Sequence, residues 1–162
     1  MKIATYLINL DGSADRLAAA TEQLQAHGIA FERIAAVDGR KLPPEQLQNA
    51  YQQGKAIAYM GRDLSPGEVG CYLSHIQAVR AFVASAADVG VVLEDDFRLH
   101  GNYLPMVELA IERLRQHGAT NWQAINISNA KLKIASSLCA LPSGAASESG
   151  LYHAHYFPML AT

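Results

Sequence analysis

Residues 89–95, VGVVLED, open with an apolar run in which no polar residue alternates. A strand with one face in water alternates; one that does not is covered on both faces, as in a parallel sheet with helices on either side. The rest of the chain supplies the matching pieces. KIATYLINL at 2–10 is rich in β-formers and stops at Asp11-Gly12-Ser13, and FERIAAV at 31–37 stops at the turn dipeptide Asp38-Gly39. Between them Leu17, Thr21 and Leu24 recur at helical spacing over 14–27, with Ser13 placed as N-cap and Gly28 as C′. Strand–helix–strand is the unit that builds parallel sheets. The sequence therefore predicts an α/β fold with a mostly parallel, Rossmann-like sheet flanked by helices.

Further along, Pro43-Pro44 opens a short helix over 43–53, and GKAIAYMGRDL at 54–64 has no clear period and reads as a loop. Ser65-Pro66-Gly67-Glu68 is a capping box with proline at the first helical position, starting a helix that runs to about Ala86. Its expected buried stripe is Val69, Tyr72, Leu73, Ile76, Val79 and Val83. Asn102 caps a helix to about His117, with Leu104, Val107, Ile111 and Leu114 inward. WQAINI, KLKIASSLCAL and LYHAHYF read as later strands around the small-residue loop PSGAASESG.

The chain has 162 residues, half of them hydrophobic and 17% charged, enough for a single domain over 1–162 with a real core. Its net charge of −2 argues against nucleic acid as a bulk electrostatic partner. Two cysteines, Cys71 and Cys139, stand far apart and suggest free thiols in a reducing compartment. The apolar stretch before Asp11 is short for a secretory signal and far short of the ~20 residues that span a bilayer. A cytoplasmic protein is expected, with peripheral contact at the inner membrane face left open.

The apolar run at 89–93 ends in Glu94-Asp95-Asp96. In open α/β sheets ligands bind outside the carboxyl ends of the strands, and this strand is expected to be central. By strand alternation Glu94 and Asp96 project to one side and Asp95 to the other. Such oxygen ligands suit Mg²⁺ or Mn²⁺, which would offset the like-charge repulsion; a solvated acidic turn is the plain alternative. His75 and Glu68, seven residues apart on one flank of the 65–86 helix, can face the same crevice or be structural. Arg16 can meet a phosphate or lie in solvent. His153 and His155 share a strand face, as a metal pair or as two partly exposed residues.

Four motifs together resemble glycosyltransferase family 25, which includes lipooligosaccharide galactosyltransferases. These are TYLINLDGSADR at 5–16, AVDGRKL at 36–42, LSPGEVGCYLSHIQAV at 64–79 and VVLEDDF at 91–97. The resemblance implies a GT-A-type fold, a UDP-sugar donor (usually UDP-galactose), Mn²⁺ or Mg²⁺, and inverting transfer to a saccharide or glycolipid acceptor. It places Asn9, Leu10, Arg16 and Asp38 on the uridine side, Ser74 and His75 at the donor pocket, Asp95 among the donor-binding acids, and Asp96 with Glu94 on the metal. No base is identified by it: Asp38, Glu68, His75 and His153 are the candidates, with His75 and Glu68 first among them.

The chain departs from the family pattern at Gly12, where a larger polar residue is usual, and in being shorter than members generally are. A C-terminally truncated, donor-binding portion is therefore expected, with homo-oligomerisation if sheet edges are exposed. The alternative function is a non-catalytic sugar-nucleotide-binding or interaction module. A receiver or haloacid-type phosphatase is disfavoured: Leu10-Asp11-Gly12 lacks the first's acidic pair, and Glu94-Asp95-Asp96-Phe97 does not fit the second.

Overall fold

A computed structural model of the chain describes residues 1–116 and Ala124. The expected strands after residue 117, Cys139, His153 and His155 lie outside the described residues. In order, the elements are β1 (Ile3–Asn9), α1 (Ala14–Ala26), β2 (Glu32–Ala35), a 3₁₀ turn (Gly39–Lys41), α2 (Pro44–Asn49), α3 (Gln53–Met60), α4 (Pro66–Ala84), β3 (Val89–Glu94) and α5 (Leu104–Gln116). The chain divides into two compact units, the first through Gly101 and the second starting at Asn102.

In the first unit the three strands form a parallel sheet in the order β2-β1-β3, with Tyr6 beside Glu32 on one flank and Val92 on the other. The α/β, Rossmann-like expectation holds. Among the described strands β1 is central, not β3 as expected. The chain steps from β1 to one side for β2 and to the other for β3. Strand order thus reverses at β1, and the carboxyl ends of β1 and β3 lie at the place where open α/β sheets bind their ligands.

β1 is buried on both faces, as its neighbours Tyr6 and Leu7 show. Tyr6 and Ile8 join Ile34 of β2 and Ala78 of α4 in one core cluster, with Ala4, Ala36, Ala81, Phe82 and Val92 packed around it. Thr5, Leu7 and Asn9 alternate to the opposite face. The helix ends follow their sequence signals. Gly28 at φ 65 closes α1 with a paired turn, its N–H donating to Gln25 and that of Ile29 to Leu24. Buried Leu24 and Ile29 complete the motif. Ser13 stands at the N-cap of α1, although its side chain makes no capping bond. At α4 the full capping box forms: Ser65 accepts from the Glu68 N–H and the Glu68 carboxylate from the Ser65 N–H.

The face that α4 turns inward differs from the expected one. Val69 is buried, but its companions are the small residues Gly70, Ser74 and Ala78. Val79 is exposed, and Val83 is 74% exposed. The reason is a backbone contact. Gly39 of the 3₁₀ turn and Gly70 of α4 lie so close that a Cβ on Gly70 would stand 2.5 Å from the Val37 carbonyl oxygen and 2.6 Å from the Gly39 nitrogen. Larger residues on this helix face would hold the two segments apart, so the i, i+4, i+8 row of small residues faces inward, while Tyr72, Leu73 and Ile76 are half-buried beside it and Val79 and Val83 turn out.

Two further readings are corrected. The helix expected over 43–53 is α2 alone, and the stretch read as a loop contains α3. Only Ala56 of α3 is buried, while Ile57, Tyr59 and Met60 are exposed, so the segment carries no apolar period to detect. In the second unit α5 buries Val107, Ala110, Ile111 and Leu114; Ala110 takes a place in the stripe and Leu104 is half-buried. Asn102 Oδ1 accepts from the Leu104 N–H, as an N-cap should. Among the described residues no helix is long and apolar enough to cross a membrane.

Candidate functional site

The carboxyl ends of β1 and β3 bring Asn9 beside the Glu94–Asp96 acids. Asn9 is 2% exposed, and both its side-chain nitrogen and its side-chain oxygen are hydrogen-bonded. Its Nδ2 donates to Asp95 Oδ2 at 2.6 Å and to the Ser13 carbonyl at 3.1 Å, while its Oδ1 accepts from Arg33 Nε at 3.1 Å. Arg33 also reaches the Asn9 carbonyl at 3.2 Å and Asp11 at 2.6 Å. One asparagine therefore ties together the end of β1, the entry to α1, β2 and the acid cluster.

Like charges at a strand tip need an offset, and the acids find two. Glu94, the last residue of β3, lies on the α4 side; its Oε1 stands 3.7 Å from His75 Nε2 and 3.9 Å from Cys71 Sγ. Asp95 points the other way, its side chain only 8% exposed, into an ion pair with Arg16 of α1. Asp96, 71% exposed, also reaches Arg16, at 3.3 Å. The expectation that Asp96 would side with Glu94 assumed that the strand continues. It does not: Phe97 N donates to the Glu94 carbonyl, closing a turn that carries Asp96 back toward Asp95's partner. The arginine thus takes two acids, and the third faces a histidine and a thiol.

Of the Ser74-His75 pair, Ser74 turns inward. Its Oγ donates to the Gly70 carbonyl at 2.6 Å and accepts from the Val37 N–H at 2.9 Å, tethering α4 to the segment after β2. Only His75 reaches the mouth, half-buried. Leu10 is half-buried, and its carbonyl accepts from the Ser13 N–H at 2.9 Å. Asp38 caps the 3₁₀ turn by accepting from the Arg40 N–H, and the Arg40 guanidinium holds its carboxyl below the usual range.

Glu68 is committed still further. Arg62 grips both its oxygens, at 2.7 and 2.9 Å, and with the Ser65 bonds holds its pKa at about 2. A carboxylate so satisfied is a weak base. Its folded pKa lies below the ordinary 4.5, so the stabilisation is complete above pH 4.5 and is lost as pH falls toward 2. In an acid titration followed by circular dichroism, Glu68→Gln is expected to be less stable at neutral pH and to lose part of the wild-type pH dependence between 4.5 and 2. Parallel wild-type and variant curves throughout that window would refute this.

Two participants escaped the sequence reading. Arg33 carries no local signal, because its role depends on β2 pairing with β1 in the register that sets Leu7 beside it. Cys71 was visible: it stands one helical turn before His75, the spacing that puts both on one face. Burial, then the Glu94 and Glu68 carboxylates, push its thiol above the ordinary range.

The described acids offer donors for a hard divalent cation, although the turn sends Glu94 toward His75 and Asp96 toward Arg16. Glu94 and Asp96 both keep exposed carboxylate oxygens, the donor type that Mg²⁺ and Mn²⁺ take, whereas Asp95 is enclosed by Asn9 and Arg16.

Residues 2–157 match the family model described as glycosyltransferase family 25 (LPS biosynthesis protein). The chain is 30% identical over 131 residues to a glycosyltransferase 25 family member of Aedes aegypti, covering 79% of this chain and 21% of that protein. It is 26% identical over 140 residues to the human procollagen galactosyltransferase 2, covering 85% of this chain and 22% of the relative. To the rat protein named probable inactive glycosyltransferase 25 family member 3 it is 34% identical over 110 residues, covering 66% and 19%. The chain thus spans about a fifth of the length of these curated relatives.

Proposed function

The chain belongs to glycosyltransferase family 25, and from that premise we propose that it moves a sugar, galactose in the first instance, from a UDP-sugar to a saccharide acceptor of lipooligosaccharide or lipopolysaccharide. The observation that carries this reading is the convergence of Asn9, Arg16 and the three acids at the strand-order switch of the sheet. The relatives named as galactosyltransferases support galactose, and the family description supports the acceptor class.

Glu94 and Asp96 would hold Mn²⁺ or Mg²⁺, which when bound supplies positive charge to a departing diphosphate. Asp95 fixes Arg16 at the mouth, where its half-exposed guanidinium can meet a phosphate. Asn9 holds Asp95 in place, and Leu10 and Asp38 border the uridine side. With Glu68 spent on its cap and Asp38 held by Arg40, His75 is the candidate among the described residues to take the acceptor's proton in an inverting transfer. Work at the inner membrane face, where glycolipid acceptors are made, suits this reading.

Thermal unfolding with UDP-galactose, with and without Mn²⁺, tests the donor site. At about 100 times Kd, binding adds about 2.7 kcal/mol, a rise of several degrees in Tm. The rise is expected to need metal and to vanish in Asp96→Ala. Absence of nucleotide binding under every condition would sink the proposal. A second reading, a donor-binding module without turnover, is favoured by the relatives named inactive. Donor binding with no transfer to any saccharide acceptor would select it.

A further inference from the structure

Cys71, His75 and Glu94 each offer one ligand atom, and these atoms all lie within 4.8 Å of one another. The grouping spans two elements: Cys71 and His75 follow each other by one turn on α4, and Glu94 ends β3. We infer that these three residues form a binding site for a borderline-soft divalent cation of the Zn²⁺ class, separate in chemistry from the hard-cation pair of the proposed donor site.

Three features favour this assignment. First, a thiolate, an imidazole and a carboxylate are a donor set that zinc takes readily and that Mg²⁺ and Mn²⁺ do not prefer. Second, the spacing is close to coordination distance. Tetrahedral zinc with bonds of about 2.0–2.3 Å sets its ligand atoms roughly 3.3–3.6 Å apart. Here Glu94 Oε1 is 3.7 Å from His75 Nε2 and 3.9 Å from Cys71 Sγ, and all three ligand atoms lie within 4.8 Å of one another, so rotation of the exposed side chains closes the set. Third, the histidine is oriented for ligation. Its Nδ1 lies 3.0 Å from the Cys71 carbonyl and 3.7 Å from Cys71 Sγ; in the tautomer that donates Nδ1–H to that carbonyl, a neutral ring keeps its lone pair on Nε2. That nitrogen is the one facing Glu94.

Binding replaces the thiol proton by the metal, releasing one proton to solvent, with no change of oxidation state. Three protein ligands leave a fourth position for water or another small ligand. Because Glu94 belongs to both sets, zinc here withdraws it, and His75, from sugar transfer.

Cobalt(II) as a spectroscopic stand-in, with zinc competition, tests the site in the full chain. A sulfur-to-cobalt charge-transfer band with tetrahedral d–d absorption is expected at one equivalent, displaced by Zn²⁺. The sulfur band is expected to disappear in Cys71→Ser and to persist in Cys139→Ser. His75→Gln should weaken zinc affinity by more than the ~10–100-fold typical of changes in outer-sphere partners. Asp96→Ala should leave the cobalt spectrum intact while removing Mn²⁺-dependent donor binding, which separates this site's failure from that of the donor reading. No stoichiometric binding, or a sulfur band that survives in folded Cys71→Ser, would overturn the assignment, as would a band lost in Cys139→Ser. Circular dichroism verifies that each variant is folded.

Discussion

Gly39→Ala is expected to destabilise the protein by about 3 kcal/mol or more, at or beyond the upper end of ordinary overpacking. A methyl at this position would stand 2.7 Å from the Pro66 carbonyl carbon, closer still to its oxygen, and 2.9 Å from the Gly70 nitrogen. All are backbone atoms, so no side-chain rotation relieves the clash. The first turn of α4 must move off the 3₁₀ turn, and the Ser74 tether to Val37 stretches with it. Gly70→Ala meets the same contact from the other side and should cost a similar amount. The double variant is the sharper measurement: once one methyl has parted the backbones, the second costs little, so the two effects should fall well short of adding. Urea midpoints at unchanged m-value report this directly. A loss under about 0.5 kcal/mol for Gly39→Ala, the range of innocuous surface changes, would show that the contact is soft.

Asn9→Ala should cost about 2–4 kcal/mol, from a small cavity and from the partners left behind. Asp95 loses its 2.6 Å donor, the Ser13 carbonyl loses a bond, and Arg33 Nε loses its acceptor. Among the described residues no buried side-chain polar atom is without a partner, so this truncation creates a defect that the native fold avoids. Asp95→Ala should show strong coupling with it in a double-mutant cycle, because both remove the same bond. Additive effects, measured by equilibrium urea unfolding, would mean that Asn9 and Asp95 act independently. Asp96→Ala makes a useful contrast, for its side chain is mostly in water and its loss should barely alter stability.

Local chemistry was the legible part of the sequence. Ser65-Pro66-Gly67-Glu68 specified the start of α4, and Gly28 the end of α1, because caps depend on a few adjacent residues. The absence of polar alternation in 89–93 anticipated a parallel sheet, since it reports what covers a strand without needing to say which element does. The four motifs at 5–16, 36–42, 64–79 and 91–97 anticipated the family. What failed was non-local. Val79 and Val83 drew the stripe of α4 to the wrong face, because hydrophobicity carries no record of how closely two backbones approach. α3 has one buried residue and offered no pattern. The sideways turn of Asp96 depends on where β3 ends, a matter of one residue, and the ties from Arg33 and Arg16 to the mouth depend on strand register and helix placement.

The glycine contact also constrains how this chain can vary. Side-chain packing between a helix and a sheet can be rebuilt with different residues, each solution moving the helix by a fraction of an ångström. A backbone resting on a backbone admits no such drift. The distance from Cys71 and His75 to the tip of β3 is therefore gauged by two hydrogen atoms standing where other residues carry carbon. The outer row of α4 can change freely in sequence, while a single methyl group at position 39 or 70 would put the spacing of the whole mouth out of calibration.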